Sequence, residues 1–199
     1  MNRTLEKVIN LADEQGIIHS STLVREGIST VVLSRLVNSG DLNRIGRGLY
    51  RESNTQVTEH SMLVDVAAQY NQGFFCLLSA LRYYELIAQA PFEIWLGIPH
   101  KGRPPKIDYP PLRIIRFTDR YFSIGIETVI IDKAELRITS LTRTIVDCFK
   151  FRNKVGLDVA LEALNEAWSK KMVNMDELWI CATEMRMANI MRPYLESLR

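Results

Sequence analysis

Leu5, Val8, Ile9 and Ala12 recur at helical spacing, and Gly16 follows where a helix commonly stops, so the pattern predicts an amphipathic helix over 4–15. Ile17 and Ile18 suit a very short strand. Ser20 or Ser21 can then cap a second short helix that ends near Glu26 and Gly27. Ser29 can cap a third helix running to Ser39. Around that helix Val32, Leu33, Leu36 and Val37 share one side, and Thr30, Val31, Ser34, Arg35 and Asn38 share the other. Past Gly40, Leu42, Ile45, Leu49 and Tyr50 supply strand positions, while Gly46 and Gly48 suit turns, which reads as a β-hairpin.

Residues 53–58 are polar and without period, and a domain boundary is placed there, giving a head of 1–55 and a remainder of 56–199. Beyond it the pattern predicts a helix over 59–70, a strand over 74–77, a helix over 79–86 and a strand over 93–98. Five prolines from Pro99 to Pro111 remove backbone donors and predict a loop. Strands follow over 112–117 and 126–131. From about 139 the period turns helical. Thr139 or Ser140 can cap a helix to Phe149, a clear amphipathic helix spans 157–170, and Asn174 with Glu177 has capping-box spacing for a helix through Arg186. A last short helix is expected over 193–198. The class is α+β: an N-terminal winged helix-turn-helix, then a mixed α/β domain to about 138 with a helical C-terminal tail.

Charge sharpens the picture of the head. The whole chain is close to neutral, with a formal net charge of +2 over 199 residues. Residues 29–51 nevertheless carry four Arg against one Asp, whereas residues 1–28 carry three basic against four acidic side chains. The positive charge therefore concentrates on the third helix and the hairpin. A helix that enters a DNA major groove must present short, polar or cationic side chains to base edges and phosphates. Thr30, Ser34, Arg35 and Asn38 meet that need, and Val31 suits a thymine methyl. Arg44, Arg47 and Arg51 give the hairpin cations for the phosphate backbone, and Gly46 and Gly48 keep it slim. The expected partner is double-stranded operator DNA, bound by a monomer or a dimer. The alternative is a protein-interaction module with the head as scaffold.

A second basic stretch, Lys101, Arg103, Lys106, Arg113 and Arg116, surrounds the proline-rich loop. It reads either as a further surface for nucleic acid or an acidic partner, or as a solvated loop beside an edge strand. Arg143 and Asp147, four apart, read as an intrahelical pair worth a few tenths of a kcal/mol.

Catalytic signals are sparse. His19, His60 and His100 stand far apart, with no metal-binding spacing, phosphate loop or nucleophile elbow around them. Asp132, Lys133 and Glu135 only superficially resemble a metal-dependent nuclease cluster. No enzyme, metal or cofactor is expected. Cys76, Cys148 and Cys181 are widely spaced in apolar stretches and read as buried thiols in a reducing compartment. Without an apolar leader or an 18-residue apolar run, the expected location is the cytoplasm, away from membranes.

Three segments carry a family resemblance. Residues 36–50, Leu-Val-Asn-Ser-Gly-Asp-Leu and then Arg44-Ile45-Gly46-Arg47-Gly48-Leu49-Tyr50, resemble the wing of the AbiEi-type antitoxins of type IV toxin–antitoxin (abortive infection) systems. Residues 78–86 are similar to that family's Ser-Ala helix, with Tyr84-Glu85 where His-Gly is common. Residues 138–147 are similar to its Ile-Thr-Ser…Arg-Thr…Asp segment, with Leu141-Thr142 in place of Pro-Glu. The resemblance implies a winged-helix domain that represses its own operon. It also implies a second domain that counteracts a nucleotidyltransferase toxin encoded next to it, by direct or indirect antagonism.

Overall fold

A computed structural model describes residues 3–55, 58–87 and 91–198. The chain divides into two compact units. One comprises residues 1–71 with 105–107 and 129–136, and the other comprises 72–104, 108–128 and 137–199.

The first unit begins with α1 (Arg3–Gln15), β1 (Ile18–His19), α2 (Ser20–Arg25) and α3 (Val31–Asn38). The hairpin β2 (Leu42–Gly46) and β3 (Leu49–Glu52) follows, then α4 (Ser61–Gln69). The predicted apolar faces close on one another. Val8 and Ala12 of α1, Ile18, Leu23 of α2, Leu33 and Leu36 of α3, and Leu42 form one buried cluster. Strands run in the order β1-β3-β2, antiparallel, with Ile18 opposite Tyr50 and Arg44 opposite Tyr50 on the other side. The three-helix head with its hairpin wing is thus present, and α4 adds to the same unit beyond the wing.

Two expected caps differ. His19, not a serine, precedes α2 and gives no side-chain cap. The backbone N–H of Ser20 instead donates to the Gly48 carbonyl of the wing at 2.8 Å, so tertiary pairing satisfies a donor that a cap would have served. At α3 the Ser29 hydroxyl accepts only a long 3.4 Å bond from the Val31 N–H.

The second unit contains β4 (Phe74–Phe75), α5 (Leu78–Tyr83), β5 (Ile94–Pro99), β6 (Leu112–Phe117) and α6 (Asp119–Phe122). Two further strands, β7 (Ile126–Ile131) and β8 (Ala134–Thr139), complete a five-stranded sheet in the order β6-β5-β4-β8-β7. β5 and β6 pair in parallel with Gly97 beside Ile115, and β4 pairs with β5 antiparallel and β8 parallel. At Gly97 any Cβ would meet the Phe74 ring at 2.5 Å, so glycine is what allows that ring to lie on the sheet.

The tail is α7 (Leu141–Lys150), α8 (Arg152–Val155), α9 (Leu157–Ser169), α10 (Met175–Glu184) and α11 (Ala188–Glu196). Both predicted caps form: the Ser140 side chain accepts from the Arg143 N–H, and the Asn174 side chain from the Glu177 N–H at 2.9 Å. Their apolar faces, with Phe74, Trp95, Ile115 and Phe117, build the larger core.

The Arg143–Asp147 pair forms within α7 as expected, but it is buried, so the few tenths of a kcal/mol of an exposed pair do not describe it. Both side chains are fully buried, with Nε donating to the carboxylate at 2.7 Å. The guanidinium also donates to the Ile124 carbonyl and lies 5.2 Å from the centre of the Phe117 ring. Periodicity cannot foresee this, because α7 is buried on nearly every side from Arg143 to Phe149.

Burial outweighs the attraction of Arg143 and pushes the Asp147 carboxyl up to about 6. A raised carboxyl favours the protonated folded state. Its contribution to stability is therefore complete below about pH 4 and lost as pH rises through about 6. Denaturant titrations from pH 4 to 7 should show wild type losing ground to Asp147→Asn across that window. A constant difference between the two would contradict the assignment. Cys76 and Cys148 are buried as expected, whereas Cys181 is only half-buried; burial pushes the Cys181 thiol up to about 11 and raises the Cys76 and Cys148 thiols as well.

Candidate nucleic-acid interface

α3 exists because Leu33 and Leu36 anchor it to the head's core, and that anchoring decides what faces outward. Thr30, Val31, Ser34, Arg35 and Asn38 are all exposed, Val31 to 57%. α2 and α3 are joined by residues 26–30, with Gly27 at a φ of 70° in the connection. This is a helix-turn-helix in which the second helix shows a face of three polar side chains, one cation and one exposed valine.

The wing is a tight hairpin. Gly46 pairs with Leu49, leaving Arg47 and Gly48 as the turn, and the strand register shifts at Ile45. Gly48 holds a φ of 72°, and a Cβ there would fall 2.6 Å from the Ser20 hydroxyl, so both backbone conformation and space require glycine. Arg44 and Arg47 are exposed, and the Arg44 Nε donates to the Gly46 carbonyl across the bulge.

Arg51 is placed differently. Its guanidinium donates to Asp65 of α4 at 2.5 Å, and only 13% of its side chain is exposed. Burial raises the Asp65 carboxyl, against the lowering by Arg51. Arg51 thus ties the wing's base to α4.

The second basic stretch divides as well. Arg113 pairs with Glu93 at 3.1 Å and stacks over Trp95. Arg116 donates to the carbonyls of His100 and Gly102 and so holds the bend after β5. Lys101, Arg103 and Lys106 are exposed on the loop.

Lys106 also lines a cleft of about 280 Å³ in the first unit, shared with His19, Arg47, Leu49, Ala68, Gln69, Tyr70, Pro105 and Ile107. In the sequence Arg47 belongs to the hairpin and Lys106 to the proline-rich loop, and His19 stands apart from both. Nothing in the sequence links positions 19, 47 and 106, because only the fold of the first unit brings them together.

The residues weighed for nuclease chemistry serve the fold. Asp132 accepts from the Thr58 hydroxyl at 2.7 Å, and Lys133 donates to the Asp13 carbonyl. Among the described residues no group of three or more His, Cys, Asp or Glu is placed to hold a metal ion. Among the same residues no helix is long and apolar enough to cross a membrane.

The chain is therefore a winged helix-turn-helix followed by a mixed α/β unit with a helical tail. Residues 6–53, which span that head, match the family described as transcriptional regulator, AbiEi antitoxin. A search of curated proteins finds no match. Among solved structures, the RV2827C protein from Mycobacterium tuberculosis is similar in fold. The TM-score is 0.66 at 11% identity, covering all of this chain and 78% of that one.

Proposed function

We propose that the protein is an antitoxin and autorepressor of a type IV toxin–antitoxin system. Residues 1–55 would bind its own operator DNA, and residues 56–199 would counteract a nucleotidyltransferase toxin encoded beside it in the cytoplasm. The observation that carries the DNA half is the outward face of α3, Thr30, Val31, Ser34, Arg35 and Asn38, beside a wing whose Arg44 and Arg47 point to solvent. Short polar side chains and one arginine on a protruding helix suit base edges, and the wing's cations suit phosphates. The family match over 6–53 supports the regulator and antitoxin reading. The nucleotidyltransferase rests on the resemblance of residues 78–86 and 138–147 to AbiEi-type antitoxins.

Fluorescence anisotropy with the protein's own upstream DNA and a scrambled duplex, each across a salt series, tests the DNA half. Tight binding to the upstream duplex, falling as salt rises, is expected. No binding to either duplex at low salt rejects it. Arg47→Ala should weaken both duplexes alike and flatten the log–log salt dependence by about 1. Unchanged affinity at physiological salt would remove Arg47 from the interface. Co-production with the neighbouring gene's product should relieve that product's toxicity, and continued toxicity would reject the antitoxin half.

A further inference from the structure

Six cations among the described residues are paired with a carboxylate. Lys7 pairs with Glu26, Arg51 with Asp65, Arg113 with Glu93, Lys133 with Asp13, Arg143 with Asp147 and Lys170 with Glu166. The cleft beside the wing gathers cations that are not so paired. Arg47 and Lys106 both line it together with the imidazole of His19, and no carboxylate shares its walls. Among the described residues neither Arg47 nor Lys106 meets an acidic side chain.

The cleft is also built rather than incidental. β1 fixes His19 opposite Leu49. The turn at Gly48 is held by the Ser20 N–H and leaves Arg47 at the tip. Glycine at position 46 lets the Gln69 side chain lie against the wing, because a Cβ there would sit 2.9 Å from it. Pro104 and Pro105 limit the backbone just before Lys106. Two like charges held on one small cleft without a counter-charge repel each other, and an anion relieves that cost.

We infer that this cleft is a phosphate-binding site for the DNA backbone, and that Lys106, far from the head in sequence, grips the same strand as the wing. The inference rests on the DNA-binding reading above and adds a contact to it. The ligand is a backbone phosphodiester. The wing's turn carries Arg47 into the cleft, so a strand lying along the wing would pass over Lys106 and His19. Such a contact is indifferent to sequence: it sets affinity and register and leaves base choice to α3.

The test uses the full chain and the same upstream and scrambled duplexes, titrated across salt. Lys106→Ala should lower affinity for both duplexes by a similar factor, several-fold at physiological salt, and reduce the salt slope by about 0.9. Lys106→Glu should lower it further, and His19→Ala should weaken the same non-specific component. Lys154→Ala, which removes one charge from α8, is the charge control and should leave affinity and slope unchanged. Lys106 is exposed, so thermal unfolding of its variants should match wild type. If wild type binds with a steep slope while Lys106→Ala and Lys106→Glu keep its affinity and slope, the cleft is not a phosphate site although the regulator reading stands. If wild type binds neither duplex, both fall.

Discussion

Arg143→Ala is expected to destabilise the protein by about 3–5 kcal/mol, the usual cost of removing one partner of a buried ion pair. Three losses combine at that position. Asp147 would lose the cation bonded to it in a site with no access to water, keeping only the non-bonded attraction of Lys150. The Ile124 carbonyl would lose its donor. The space beside the Phe74 and Phe117 rings, where the guanidinium lies 5.9 and 5.2 Å from the ring centres, would be left empty. Urea denaturation followed by tryptophan fluorescence reads the effect, and a loss below about 1 kcal/mol would show that the pair is not the buried unit described. Arg143→Met combined with Asp147→Leu should recover most of the loss, because apolar side chains of similar volume need no partner there. The unpartnered Arg143 Nη2 and Asp147 Oδ1 atoms, both buried, show that even the intact pair is incompletely satisfied.

Arg35→Glu is expected to lower affinity for the protein's upstream DNA by about 100-fold. A good arginine contact to a guanine edge contributes roughly 1–3 kcal/mol of discrimination, and a carboxylate in its place faces the phosphates as a like charge. Arg35 is exposed on α3 and is not part of the head's buried cluster, so the unfolding transition should be that of wild type. Preference for the upstream over the scrambled duplex should shrink together with affinity. An equal loss on both duplexes would make Arg35 a phosphate contact rather than a reader of bases.

The parts of the fold legible in the sequence are those in which one local rule acts alone. α7 and α10 begin where Ser140 and Asn174 say they should, and β6 and β7 match their apolar patterns over 112–117 and 126–131. β8 escaped because its turn, Asp132-Lys133, has no glycine although both residues have positive φ, 48° and 67°. α11 escaped in part because Pro193 reads as a first-turn residue, whereas the helix starts at Ala188 and carries the proline inside. The departure at Tyr84-Glu85 has a local cost of its own. Glu85 stands at a φ of 56°, where glycine is at ease, with the Leu86 N–H bonded back to Leu81 as α5 closes. Tyr84 is more constructive, since its hydroxyl donates to the Thr139 carbonyl at 2.9 Å.

The candidate interface was legible in its helix and only partly in its wing. The outward face of α3 follows from spacing, since Leu33 and Leu36 dictate what is left outside. The fates of Arg51 and Lys106 do not, because each depends on a residue brought near by the fold: Asp65 for the first, and Arg47 and His19 for the second.

The bond from the Ser20 N–H to the Gly48 carbonyl joins the helical part of the head to its wing at the wing's own turn. If the head binds a duplex as proposed, helix and wing meet it already joined to one another. The entropy of ordering the hairpin is spent when the head folds and not when DNA arrives, so binding keeps more of its contact energy. Association should resemble the docking of a preformed key, with little ordering of the wing in the heat capacity of binding. The Ser20 amide should exchange with solvent on the timescale of opening the whole head, not of a loose loop.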